Sequence, residues 1–301
     1  MARQWVGFWL SLSTAILWGA LPLGLAFLLD VMDVVTISWA RFVFATAAVF
    51  LWLWRSGNLP SFAAFDLRYG VLLLVAIVAL LGNFIFYLLG LELLNPETTQ
   101  VLIQLAPFLL MFGSVWFYGE RLGKVEWIGA LVLFIGFALF FNERLAQLFG
   151  ELSAYTLGVV AMLAAATSWT LYGLLQKVLL RRLNSLQLTL LIYAGGSLGL
   201  WAFSAPSAVL ELDWAQALAL LFCGLNMVLG YGAFTEAMQV WQAAKVGAVI
   251  ALAPVFTIIF MALAVRWFPA HFSSSDLNLW SYLGALLVVA GSMVAALGRG
   301  R

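Results

Sequence analysis

Apolar runs of about 20 residues follow one another along the whole chain, separated by short polar breaks. They lie near 7–29, 34–54, 70–91, 97–118, 125–141, 155–176, 185–203, 215–238, 243–267 and 278–297. A membrane helix needs about 20 mainly apolar residues at 1.5 Å rise each, so the pattern predicts ten spans. A membrane β-barrel would instead show short alternating stretches. The first run is followed by more of the same kind and reads as a retained span, not a cleaved signal.

The runs also repeat. "TTQVLIQLAPFLLMF" (98–112) has a relative in "KVGAVIALAPVFTII" (245–259), which places Pro107 and Pro254 alike. "AILWGALPLG" (15–24) faces "ATSWTLYGLL" (166–175), pairing Trp18 with Trp169. "WIGALVLFIGFAL" (127–139) faces "YLGALLVVAGSMV" (282–294), pairing Gly129 with Gly284 and Gly136 with Gly291. The chain therefore divides into two five-helix halves, 1–146 and 152–301. Because five is odd, the second half enters the membrane from the opposite side. The expected fold is an all-α integral membrane protein of ten transmembrane helices, built as two inverted-topology repeats.

Composition agrees. Of 301 residues, 65% are hydrophobic and 9% charged, against about 25% charged in soluble domains, and mean hydropathy is +1.07. With the N-terminus in the cytoplasm, eleven of the 14 basic residues fall inside: Arg3, Arg55, Arg68, Arg121, Lys124, Lys177, Arg181, Arg182, Lys245, Arg299 and Arg301. Arg144 and Arg266 fall outside, and Arg41 lies within a span. This bias predicts both termini in the cytoplasm. Nine tryptophans near span ends, among them Trp5, Trp116, Trp214 and Trp280, read as interfacial anchors.

Charge and chemistry narrow the function classes. Net charge is +1 with no basic block, so no nucleic acid partner is expected. One cysteine, Cys223, and one histidine, His271, leave no disulfide framework and no zinc cluster. No phosphate-binding loop is present, so ATP is not the direct energy source and no cofactor is expected. An intramembrane lipid-modifying enzyme would need a catalytic pair or a metal, and no acid pair shares a helix face. A receptor or assembly subunit would normally bring a soluble domain.

The stretch "WFYGERLGKVEWIGALVLFIGFALFF" (116–141), with the duplicated Trp and Leu-Ala-Pro positions, resembles the EamA-type family of the drug/metabolite transporter superfamily. The resemblance covers nearly the whole chain twice. It implies ten helices, export or exchange of small metabolites, and a central cavity lined mostly by helices 1, 3, 4, 6, 8 and 9. Helices 5 and 10 would be scaffold or contact surface, through which a homodimer would form. One departure stands out: Gly119-Glu120 follows helix 4, but "VRWFPAHFSSSDLN" follows helix 9 with no matching Gly-Glu. The outer closure is expected to differ from the inner one.

Polar residues deep in spans mark candidate cavity positions, because each is costly unless it faces a cavity or a partner. Gln100, Gln104 and Pro107 continue one face of helix 4, and Asn83 with Tyr87 one face of helix 3. Their second-half counterparts are small or apolar: Gly230, Phe234, Gly247 and Ala251, with Asn226 one turn before Gly230. A cavity polar on one side and roomy on the other suits an asymmetric organic solute. The alternative is interhelical hydrogen bonding. Thr14 and Trp18 on helix 1, and Trp169 and Tyr172 on helix 6, either stack on planar or cationic ligands or pack in the core. Pro107 and Pro254 read as paired hinges for alternating access, against static kinks.

Among the charges, Arg41 lies about 12 Å along helix 2 from Asp33. An ion pair with Glu92 is the preferred reading, with a substrate-carboxylate site as the alternative. Glu236 either carries a coupling proton or pairs with Lys245, and the pair is preferred. Glu120 is expected to anchor the cytoplasmic turn beside Arg121 or Lys124. The functional expectation is a secondary-active or facilitative exporter of small organic metabolites, amino acids first, with efflux of cationic or aromatic drugs as runner-up.

Overall fold

The computed structural model describes residues 2–61, 65–119, 121–144, 153–273, 275 and 277–298. Ten helical rods run through it: α1 (Ala2–Leu29), α2 (Val34–Arg55), α3 (Leu67–Leu93), α4 in two segments (Pro96–Leu102 and Leu105–Tyr118), and α5 (Lys124–Phe140). The second set is α6 (Ala154–Leu179), α7 (Ser185–Trp201), α8 (Trp214–Val240), α9 in two segments (Ala243–Ile250 and Ala253–Trp267), and α10 (Leu279–Gly298). Among the described residues, 8 rods carry apolar windows long enough to cross a membrane. The other two, α5 and α7, have 17 residues each, the short end of the spanning range of roughly 17–25.

Short polar residues start the rods by answering N–H groups that have no partner in the helix. Asp33 accepts from Val35 and Thr36, Asp66 from Tyr69 and Asn95 from Thr98. Asn184 with Gln187, and Asp213 with Gln216, form reciprocal capping boxes. At the end of α4, Gly119 takes φ 67, the left-handed conformation that closes a helix at least cost to glycine. Glu120 lies outside the described residues.

The rods pair as a twofold axis in the membrane plane requires. α3 packs on α6 as α1 packs on α8, and α4 on α6 as α1 on α9. α2 meets α7, and α5 meets α10. Residues at equivalent places in the two halves touch each other across the axis. Thr46 and Ser197, 151 positions apart, share a 3.1 Å hydrogen bond between hydroxyls. Phe42 and Tyr193 meet edge to face with ring centroids 5.8 Å apart.

The α5–α10 pair is held close by glycine. A Cβ on Gly129 would come within 2.5 Å of the Ala295 nitrogen, and one on Gly291 within 2.5 Å of the Leu133 nitrogen. Gly136 and Gly284 likewise face each other's rods. Equivalent glycines thus meet crosswise, 129 with 291 and 136 with 284, as antiparallel twofold partners must. The small-residue faces are used inside one chain. Outside the bundle, tryptophans near the rod ends stand open, Trp116 at 86% and Trp214 at 78% exposure, in the belt positions expected of membrane-interface rings.

Candidate functional site

Both proline-bearing helices break. In α4, Pro107 cannot donate to the Ile103 carbonyl four residues back, and that carbonyl accepts from Ala106 at 2.9 Å instead. In α9, the turn before Pro254 tightens in the same way: Val255 donates to Leu252 at 2.9 Å, leaving the Ala251 carbonyl without its helical donor. The Gln104 amide supplies one, Nε2 donating to the Ala251 oxygen at 2.9 Å. Gln104 and Ala251 are equivalents, 147 positions apart, so the two breaks are tied to each other across the axis.

Around this tie lies a cavity of about 660 Å³. α1 brings Trp18, Leu21 and Leu25 to it, α2 Arg41, and α3 Asn83, Phe84 and Tyr87. α4 adds Gln100, Gln104 and Pro107, and α6 adds Trp169. From α8 come Asn226, Tyr231 and Phe234, from α9 Gly247 and Ala251, and from α10 Ser292. At the end of the bundle that carries both termini, the lining reaches the exposed Met238 and Gln242. At the other end it stops at the buried Leu25 and Arg41. There the α9–α10 connection lies over the bundle, Ser275 donating to Glu97 at 2.7 Å and His271 edge-on to Phe27. The cavity has its mouth on the side of the termini.

Of the residues singled out in the sequence, Trp18, Arg41, Asn83, Tyr87, Gln100, Gln104, Pro107, Trp169 and Asn226 are brought together around this one cavity. Three are not. Thr14 bonds back to Leu10 at 3.0 Å and reaches the Gly230 carbonyl at 3.4 Å, a contact between α1 and α8. Gly230 is small because Trp18 sits on it: a Cβ there would be 2.7 Å from the indole nitrogen. Tyr172 is buried in the core with Phe42, Tyr193 and Met227. Pro254 is also buried outside the lining, and its neighbours Ala253 and Thr257 meet Gly19 of α1, whose carbonyl accepts from Thr257 at 2.7 Å.

Most of the wall's amides are already engaged. Asn83 donates to the Ala165 carbonyl at 3.0 Å, and Asn226 to Leu17 at 2.5 Å, the same device in each half. Tyr87 donates to Gln100 Oε1 at 3.1 Å. The Tyr231 ring lies 5.2 Å from that of Trp18, and Trp169 lines the same cavity, so both duplicated tryptophans reach the lining that Tyr231 shares. Tyr231 carried no sequence signal, because polar spacing along α8 singles out the face of Asn226 and Gly230.

Two expected ion pairs do not form among the described residues. Arg41 turns inward, its Cζ 4.8 Å from the centroid of Phe84, whereas Glu92 is exposed. Glu92 lies eight residues beyond Phe84, about 12 Å farther along α3 and on another face. Glu236 is exposed too, and Lys245 instead reaches toward the Trp241 ring at 5.9 Å. A salt bridge among the described residues joins Arg182 to Asp66 at 3.1 Å, across the α2–α3 and α6–α7 connections.

Two inverted five-helix repeats around a cavity with one mouth define an integral membrane transporter of the inverted-repeat class. Residues 5–142 and 156–297 each match the EamA-like transporter family, and the chain belongs to that family. It is 42% identical over 294 residues to the uncharacterized inner membrane transporter YhbE of Escherichia coli K12, covering 97% of this chain and 92% of that protein. An uncharacterized transporter of Haemophilus influenzae is 36% identical over 293 residues, covering 97% and 95%. A solved crystal structure superposes with a TM-score of 0.67 at 20% identity, covering 98% of this chain and 97% of that one, which is a likeness of fold. The protein is an inner-membrane transporter and not an enzyme.

Proposed function

We propose that the chain exports small organic metabolites, amino acids first among them, by alternating access around the central cavity. The observation that carries this reading is the cavity itself, enclosed between the repeats, with a mouth at one end and both helix breaks meeting inside it. The excess of Lys and Arg on the side of the termini makes that mouth cytoplasmic, where an exporter loads. Pro107 and Pro254 serve as hinges, since each rod is already divided there and needs no further break to bend.

Efflux of cationic drugs is the weaker reading. The aromatic wall of Trp18, Tyr231 and Phe234 would accept a planar cation, but Arg41 on the same wall would repel it. A homodimer through α5 and α10 would use their outward faces, with Leu131, Phe134 and Leu286 exposed there, because the glycine faces are occupied within the chain. Uptake of radiolabelled amino acids into inside-out proteoliposomes of the purified protein tests the reading. Amino-acid accumulation without transport of a quaternary dye supports it. Transport of the dye alone would refute it in favour of the runner-up.

A further inference from the structure

We propose that Arg41 is the docking group for a carboxylate on the solute, so that the cavity selects small organic acids, amino acids included. The proposal rests on the cavity being the solute site.

Arg41 is 4% exposed, seven residues into α2, at the closed end of the cavity. Among the described residues its guanidinium makes no hydrogen bond, and Nε is wholly covered without a partner. The polar residues that line the cavity with it, among them Asn83, Tyr87, Gln100, Gln104 and Tyr231, are uncharged. Among the described residues, no acidic side chain lines the cavity. Of the buried carboxylates among the described residues, Glu97 accepts from Ser275 through Oε1 while its Oε2 has no partner, and Glu126 lies in the first turn of α5 beside Gly123; neither pairs with Arg41. An unpaired buried charge is strongly unfavourable, and a fixed structural arginine normally comes with its acid.

The twofold relation shows that the fold does not need a cation here. The offset that joins Thr46 to Ser197 carries Arg41 onto Ile192, a residue buried in the apolar core. The charge is an addition to one repeat only. On the facing side, Asn226 spends its Nδ2 on Leu17 while its Oδ1 is buried without a donor. With that oxygen covered, the unanswered charge in the lining is the Arg41 cation. A carboxylate on a small solute answers that cation, and the arginine fork suits a carboxylate's two oxygens.

The test is thermal unfolding of the purified full chain in detergent. The twenty L-amino acids and the C2 to C6 monocarboxylates are screened, each beside its carboxamide, with wild type, Arg41→Gln and Arg41→Lys. The expected result is a midpoint raised by at least one acid and not by its amide. Arg41→Gln loses that shift while its ligand-free midpoint stays at or above that of wild type, since an uncompensated charge has been removed. Arg41→Lys keeps part of the shift. Equal stabilisation by acid and amide, or an undiminished shift in Arg41→Gln, overturns the proposal. So does a ligand-free midpoint of Arg41→Gln several degrees lower, the mark of a structural arginine. If proteoliposomes carry a neutral or cationic solute and no acid shifts the wild type, this proposal fails and the transport reading stands. If neither binding nor transport of any solute is found, the transport reading fails with it.

Discussion

At the scale of single residues, the cavity wall is a set of side chains whose polar ends are mostly answered by backbone carbonyls of the neighbouring rod. Asn83 on Ala165 and Asn226 on Leu17 each fasten a rod of one repeat to a rod of the other. Asn83→Leu should lower the stability of the purified protein by about 0.6 kcal/mol, the average for such bonds between membrane helices, read from its unfolding midpoint. Outside the membrane, Asp66 caps α3. The Tyr69 N–H donating to it, and then the Arg182 guanidinium, hold its carboxyl below the ordinary 3.8. Its contribution is therefore present above 3.8 and lost as pH falls through the lower folded value. Asp66→Asn should melt below wild type at pH 6, and the gap should close as pH falls below 3.8. A gap independent of pH would contradict the ionised cap. Residue type and helical face pointed to Gln100, Gln104 and Asn83, because a polar group deep in an apolar span needs a reason. They could not separate Thr14, whose hydroxyl is absorbed by its own helix, from a true wall residue. Nor could they tell that Arg41 and Glu92 diverge, since one-dimensional spacing says nothing about how two rods are rotated against each other.

At the scale of elements, the duplicated proline is legible because its cost falls at the same place in two apolar runs. What the sequence could not show is that the carbonyl freed in α9 is claimed by Gln104 of α4. Pro107→Ala restores an N–H to the break and should favour a straight α4. One added hydrogen bond, about 1 kcal/mol, is roughly fivefold in the balance between bent and straight forms. Transport by Pro107→Ala in proteoliposomes should slow accordingly, and cysteine accessibility in the cavity should change. An unchanged rate with unchanged access would remove the hinge. The glycines of α5 and α10 make a second prediction at this scale. Gly291→Val places atoms where the Leu133 backbone already lies and should cost about 1–3 kcal/mol in detergent unfolding, the usual range for overpacking. The matching glycines were visible as a motif, but their crosswise meeting inside one chain, leaving only outer faces for a dimer, is a tertiary fact.

At the scale of the whole molecule, ten rods and an odd-numbered repeat were enough to specify an inverted pair, because lipid permits only helices here and two like halves of five must oppose. The structure adds what breaks the symmetry. One half carries Arg41, Asn83, Tyr87, Gln100 and Gln104, while the other sets Ile192, Gly230, Phe234, Gly247 and Ala251 at the equivalent places. The α9–α10 connection, longer than its α4–α5 counterpart, lies over the end of the cavity away from the termini through Ser275 and Glu97. The most direct measurement of this arrangement is labelling of Met238→Cys, in a Cys223→Ser background, by a membrane-impermeant maleimide in oriented vesicles. Modification from the cytoplasmic face, slowed by a transported solute, is the predicted result. Modification from the periplasmic face alone, or at a rate no solute alters, would contradict a solute cavity that opens beside the termini.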